Sequence, residues 1–167
     1  VVDTAEDIVT YTNNITNVSS SNFENMVIID RLPGVNDRGV VNWQDQRGSE
    51  FAVAYLENLS LTVEDGNGNS TPVDPSMYTI RFSSIAFNQA YADDDFDGEE
   101  GSGWHDTWQE DDTSFRIVMA DAFTLKPNET LLIRYDGKIS DDADPGQIAW
   151  NSFGYRYSVG TIHLTAE

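Results

Sequence analysis

The feature that most constrains this chain is its period of two. Apolar side chains recur at alternate positions in stretch after stretch, and no segment sustains the three-to-four spacing of a helical stripe. "EDIVTYTNNITNV" sets Val9, Tyr11 and Ile15 on one side, and "SMYTIRFS" does the same with Tyr78, Ile80 and Phe82. "TSFRIVM" aligns Phe115, Ile117 and Met119, and "LKPNETLLIRYDGKIS" aligns Leu131, Ile133 and Tyr135 after a turn at Pro127-Asn128. "NMVIIDRLPG" is a short apolar run halted by Pro33-Gly34, and "EDGNGNSTPVD", with Gly66 and Gly68, reads as a hairpin connection. "EFAVAYLENLSLTV" reads as one long strand or two, with a short helical turn over 51–56 as the competing reading. Seven or so strands joined by turn chemistry predict an all-β, immunoglobulin-like antiparallel two-sheet sandwich, with a barrel as the alternative.

A late strand, "IAWNSFGYRY", poses the sharpest question. Alternation puts Ala149, Asn151, Phe153, Tyr155 and Tyr157 on one face, so a carboxamide points where the rings point. Trp150, on the opposite side of the pleat, is expected in the core. A buried amide without partners costs roughly 1–3 kcal/mol, so Asn151 must find some. Asp30, on a face with Met26 and Ile28, is one candidate. The favoured reading of Asp30 is that it opens the turn at Leu32-Pro33.

The 167 residues suffice for one domain spanning 1–167, since such sandwiches need about 100. The surplus falls largely in "YADDDFDGEEGSGWHDTWQEDD", about 91–112, which holds ten carboxylates and no Lys or Arg and is expected to be a long surface loop. The chain carries 29 acids against 9 Lys and Arg, a net charge of −20. Nucleic-acid binding needs the opposite sign, as does docking on anionic lipid. No apolar run is long enough to insert in a membrane, and the absence of cysteine excludes disulfides and thiolate metal sites. The abrupt strand-like start and stop suggest a piece of a longer protein.

Several segments together resemble the immunoglobulin-like repeat modules of Gram-positive bacterial surface proteins. These are the Val9-x-Tyr11 strand, the strand ending Asp30-x-Leu32-Pro33, "TPVDPSMYTIRFS", "LKPNETLLIRYDGKI" and "AWNSFGYRY". The resemblance covers most of the chain outside the acidic loop. It implies an extracellular module of an adhesin, pilin or stalk at the bacterial cell surface, next to other modules of its chain. Its partner would be a host or cell-surface protein, or a glycan.

Many domains in that broad group also condense a core lysine with a late-strand Asn, assisted by a buried acid. Asn151 suits the acceptor role. The only lysines are Lys126, in the turn before Pro127, and Lys138, on the face opposite Leu131, Ile133 and Tyr135. A self-crosslinking domain is therefore the less favoured alternative.

Within the acidic loop, Asp93, Asp95, Asp97 and Gly98 form the first half of a calcium loop, in which alternate carboxylates wrap a turn that glycine permits. Trp104 occupies the twelfth position, so this is no EF-hand. Glu99, Glu100 or Asp106, or another loop, would complete a Ca²⁺ set, and the competing reading is a solvated acidic loop that holds no ion. Trp104 and Trp108, with Trp43, would serve as a sugar-stacking or protein-binding platform in a carbohydrate-binding alternative. They would otherwise fold back to cover a sheet. His105 and His163 are the only imidazoles, and no nucleophile motif accompanies them, so no enzymatic activity is expected. The Asn-x-Ser/Thr triplets at Asn14, Asn17, Asn58, Asn69 and Asn128 read as incidental to Asn- and Thr-rich strands.

Overall fold

The structure is a computed structural model and describes residues 8–42, 44–84, 96 and 103–167. Ten strands run through them: β1 (Ile8–Thr16), β2 (Glu24–Arg31), β3 (Val53–Tyr55), β4 (Ser60–Glu64), β5 (Ser70–Pro72), β6 (Tyr78–Ser83), β7 (Ser114–Met119), β8 (Thr130–Ile139), β9 (Ser152–Val159) and β10 (Ile162–Ala166). They form two antiparallel five-stranded sheets. The first runs β1-β8-β4-β5, with β3 also on β8, and the second runs β10-β9-β2-β7-β6. Two separate sheets make a sandwich, as the alternation predicted, rather than a barrel.

The inward faces follow the sequence pattern. Ile15, Leu131, Ile133 and Tyr135 come from the first sheet, and Met26, Ile28, Phe115, Ile117 and Met119 from the second; all are buried in one cluster. Phe153, Tyr155 and Tyr157 of β9 pack against it as a row, with centroids 6.2 and 5.9 Å apart. Tyr157 is stacked in turn on Phe23 at 3.8 Å.

β2 does not alternate, because both of its faces are covered. Val27 and Ile29 point away from the main core into a second cluster with Val40 and Phe96, against which Trp104 and Val118 pack. Phe96 lies within the acidic stretch, so part of that stretch returns to cover the outer face of the second sheet.

The 51–64 ambiguity resolves into two strands. Glu57 has φ of 55°, which breaks the extended run between β3 and β4. β3 lies so close over β8 that a Cβ on Gly137 would collide with the Val53 side chain. The expected hairpin joins β4 to β5. Asp65 fastens it by accepting from the backbone N–H groups of Asn67 and Asn69 at 2.8 and 2.9 Å.

One alternation fails. Trp150 is 54% exposed, and Ile148 is 52% exposed. Residues 148–151 precede β9 and pair with no strand among the described residues, and the N–H groups of Ile148 and Trp150 go to side chains instead. Ile148 N donates to Glu50 Oε2 at 2.7 Å and Trp150 N to Ser49 Oγ at 2.9 Å. Where there is no second sheet to cover it, the outward side of a pleat meets solvent.

Candidate functional site

The question raised by Asn151 is answered on β2. Asp30 does not open a turn. It is a fully buried inward residue, paired across the ladders with Phe115 and Phe153. Its carboxyl gathers three donors. Asn13 Nδ2 reaches Oδ2 at 2.5 Å, Asn151 Nδ2 reaches the same oxygen at 3.1 Å, and the Tyr135 hydroxyl reaches Oδ1 at 3.0 Å. Asn13 is on β1 and Tyr135 on β8, in the first sheet. Asp30 and Asn151 belong to the second sheet and the segment leading into it. One carboxyl thus fastens the two layers together.

Burial pushes the Asp30 carboxyl up to about 7, although donation from Asn151, Tyr135 and Asn13 and the charge of Arg47 all act the other way. Burial, followed by the proximity of Asp30, also raises Tyr11 to about 12 and holds Tyr135 well above its ordinary range. Neither lysine meets this cluster. The Lys126 ammonium is exposed 3.9 Å from Glu129, and that of Lys138 lies outward 3.7 Å from Asp141. The position facing Asn151 across the carboxyl belongs to Asn13, which carries no amine.

Beside the cluster, residues 34–42 and 44–50 belong to a loop organised by a buried ion pair. Arg47 and Asp37 are bonded directly, with side chains 9% and 0% exposed. Arg47 also donates to the carbonyls of Arg31 and Leu32, at 3.1 Å each. Asp37 Oδ2 accepts from Gly34 N at 2.8 Å and from Ser49 Oγ at 3.0 Å. Burial holds the Arg47 guanidinium below its ordinary range, while Asp37 opposes the shift.

Next to it the N–H groups of Val40, Val41 and Asn42 converge on the Glu167 carboxylate, at 2.8, 3.1 and 2.5 Å, and the Ser152 hydroxyl donates to it at 2.5 Å. Gly39 is required here, since a Cβ would collide with that carboxylate and lie 2.8 Å from the Asn42 carbonyl. Between this loop and residues 150–153 is a groove of about 570 Å³, lined among others by Asn42, Asp45, Gln46, Arg47, Trp150 and Asn151.

Of the residues that sequence reasoning singled out for binding, Trp108 is half-buried, set edge-on to Tyr55 and Phe82 at 5.4 and 5.6 Å. Trp104 is half-buried on the outer face of the second sheet, with the Arg116 guanidinium 6.0 Å from its ring. Trp43 and the metal candidates Asp93, Asp95, Asp97 and Glu99, with Glu100, lie outside the described residues. Asp106 is exposed and paired with Arg81. Among the described residues no three His, Asp or Glu side chains are grouped to hold a metal ion.

His105 Nε2 lies 2.8 Å from Asp112 Oδ2, and the His105 backbone adds a rung to the edge of β6 through Phe82, at 2.8 and 2.9 Å. His163 is exposed on β10. The structure thus brings together Asp30 and Asn151, and joins to them Asn13, Tyr135 and Arg47, which sequence reasoning did not select. Asn13 shares a face with Tyr11 and Ile15, and that spacing was the available signal.

No family model matches the sequence, and no curated protein matches it. Among solved structures, the chain is similar to the collagen-binding subdomain of the Enterococcus faecalis surface protein ACE. The TM-score is 0.50 at 10% identity, over 99% of this chain and 86% of that one. A family 3a carbohydrate-binding module from the CipA scaffolding of Clostridium thermocellum aligns at TM-score 0.41 and 8% identity, over 96% of this chain and 91% of that one. At such identities the first likeness shows a shared β-sandwich fold.

Proposed function

We propose that this chain is a non-catalytic extracellular module of a bacterial surface adhesin. It would hold its shape between neighbouring modules and present its loops to a host protein or glycan. The observation that carries the reading is the placement of Asp30. Among the described residues, the carboxyl pushed up toward neutral pH is fully buried and spent on a cluster that clamps the two sheets together. The two histidines lie apart from it, one on β10 and one bonded to Asp112. The likeness to the collagen-binding subdomain supports a surface sandwich of this kind, and the Asp93-x-Asp95-x-Asp97 stretch suits a stabilising Ca²⁺.

The test is adhesion by beads coated with the module, against immobilised fibrillar collagen, whole extracellular matrix and a glycan panel. Saturable attachment to at least one surface, with every ligand recovered chemically unchanged, is the expected result. Attachment to none of them, or conversion of a ligand, overturns the reading. The intact mass is expected to equal the sequence mass, and a mass short by one ammonia would make the chain self-crosslinked instead.

A further inference from the structure

The groove beside the cluster has features that shape-holding does not explain. Arg47 Nε and Asn151 Oδ1 are both buried and both without a hydrogen-bond partner. Both residues line the same groove. A buried polar atom left unpaired costs roughly 1–3 kcal/mol, and two under one concavity need a common reason.

Neither side chain is free to turn away. The other nitrogens of Arg47 are held by Asp37 and by the carbonyls of Arg31 and Leu32. The amide nitrogen of Asn151 is anchored on Asp30. Two residues of the lining therefore keep one donor and one acceptor unpaired. At its margin stands Trp150, 54% exposed, whereas Trp104 and Trp108 are half-buried against the body of the domain.

We propose that the groove between residues 39–42, 45–47 and 150–153 is a binding site for a short neutral oligosaccharide. Its unpaired atoms, Arg47 Nε and Asn151 Oδ1, engage sugar hydroxyls beside the exposed indole of Trp150. A sugar hydroxyl both accepts, as a guanidinium N–H requires, and donates, as a carboxamide oxygen requires, so hydroxyls of one ligand suit both atoms. The apolar face of a sugar ring suits an exposed indole. Asn42, Asp45 and Gln46 supply further donors and acceptors around the rim, and the volume lies within the range of small-ligand sites.

Charge selects against acidic sugars. Arg47 is already neutralised by Asp37, Asp45 and Glu167 line the groove, and the whole chain carries −20. The proposal rests on the reading of the chain as an adhesion module and names the chemistry of one ligand.

The experiment titrates the full chain with cellotriose, maltotriose, chitotriose, lactose and 3′-sialyllactose, following tryptophan fluorescence and calorimetric heat. Saturable binding of at least one neutral sugar and none of sialyllactose is expected. Trp150→Ala should weaken it about tenfold or more with an unchanged melting curve, and Trp108→Phe should leave it unaltered. No binding of any neutral sugar overturns the proposal, and assigns the unpaired atoms to water. Binding that survives Trp150→Ala overturns it equally. If the beads still attach to collagen or matrix while no sugar binds, the groove assignment alone fails. If they attach to nothing, the adhesion reading fails with it.

Discussion

At the scale of single residues, Asp30 gives this protein an unusual dependence on pH. Its folded carboxyl titrates near 7 against 3.8 in an ordinary setting, so the native state holds a proton that the unfolded state releases. A group raised in this way favours folding at low pH, and stability falls as pH climbs from about 4 to about 7. Three units correspond to something on the order of 4 kcal/mol. The acids held low by local hydrogen bonds, Asp65 at about 2 and Asp74 and Asp136 below their ordinary range, act at lower pH and in the opposite sense. Urea unfolding followed across pH should therefore show a maximum near pH 4 to 5 and a decline to pH 7. Asp30→Asn should remove most of that decline, and an equally steep decline in the variant would refute the assignment.

The same cluster makes a second residue-scale prediction. Asn13 and Asn151 meet on one oxygen of Asp30, so an amine extended from position 13 would arrive beside the Asn151 carboxamide. In Asn13→Lys, the amine nitrogen would attack Asn151 Cγ. The bond from that carbon to its NH₂ would break, and Asp30 would take the amine proton and pass one to the departing ammonia. The product should weigh one ammonia less than its sequence mass, and the double variant Asn13→Lys with Asp30→Ala should keep full mass. Full mass in the single variant would show that the layers stand too far apart. The need for a partner at Asn151 was legible from the pleat alone. Asp30 was in view, but the Leu32-Pro33 that follows it argued for a turn. Asn13 escaped because an asparagine next to a second, exposed one, Asn14, gives no sign of its own that it is buried.

At the scale of elements, alternation located the inward faces of β1, β6, β7, β8 and β9 because each lies against an opposing sheet. It misplaced Trp150 because period two reports which side a residue takes and not where the covering sheet stops. The groove loop was harder still, since its order comes from Asp37 and Arg47, ten positions apart and joined only in the fold. The contact between that loop and Glu167 is also invisible in sequence. Three backbone N–H groups and a hydroxyl converge on one carboxylate, which ties residues 40–42 to the chain just beyond β10. β10 has little else to hold it, because Ile162, His163, Leu164 and Thr165 are all exposed and its ladder is made to β9 alone. Glu167→Ala should therefore raise hydrogen exchange at the amides of residues 40–42 and in β10 by about tenfold, with the β2 and β7 amides unchanged. Gly39→Ala should reproduce the pattern by displacing the same carboxylate. Uniform loosening of all strands would mean that the contact supports the whole sandwich rather than its edge.

At the scale of the whole molecule, the sandwich carries a net charge of −20, and ten of its acids fall within 91–112. Like charges at this density oppose compaction, and salt screens them over about 8–10 Å at ordinary ionic strength. Sodium chloride alone should therefore raise the melting temperature gradually. A calcium site at Asp93, Asp95 and Asp97 would behave differently. An ion that binds only the folded chain stabilises it in proportion to the logarithm of its concentration above Kd, about 2.7 kcal/mol at a hundredfold excess. Metal-stripped protein should then melt higher in millimolar Ca²⁺ than in Mg²⁺ or NaCl at matched ionic strength, since Mg²⁺ gives up its waters reluctantly. Neutralising the three aspartates together should abolish the difference between the ions while raising the melt in low salt, because it also removes three repelling charges. Equal melts in all three salts would leave the acidic stretch as a solvated charge cluster. The sandwich would then owe its cohesion to the apolar core and the clamp at Asp30.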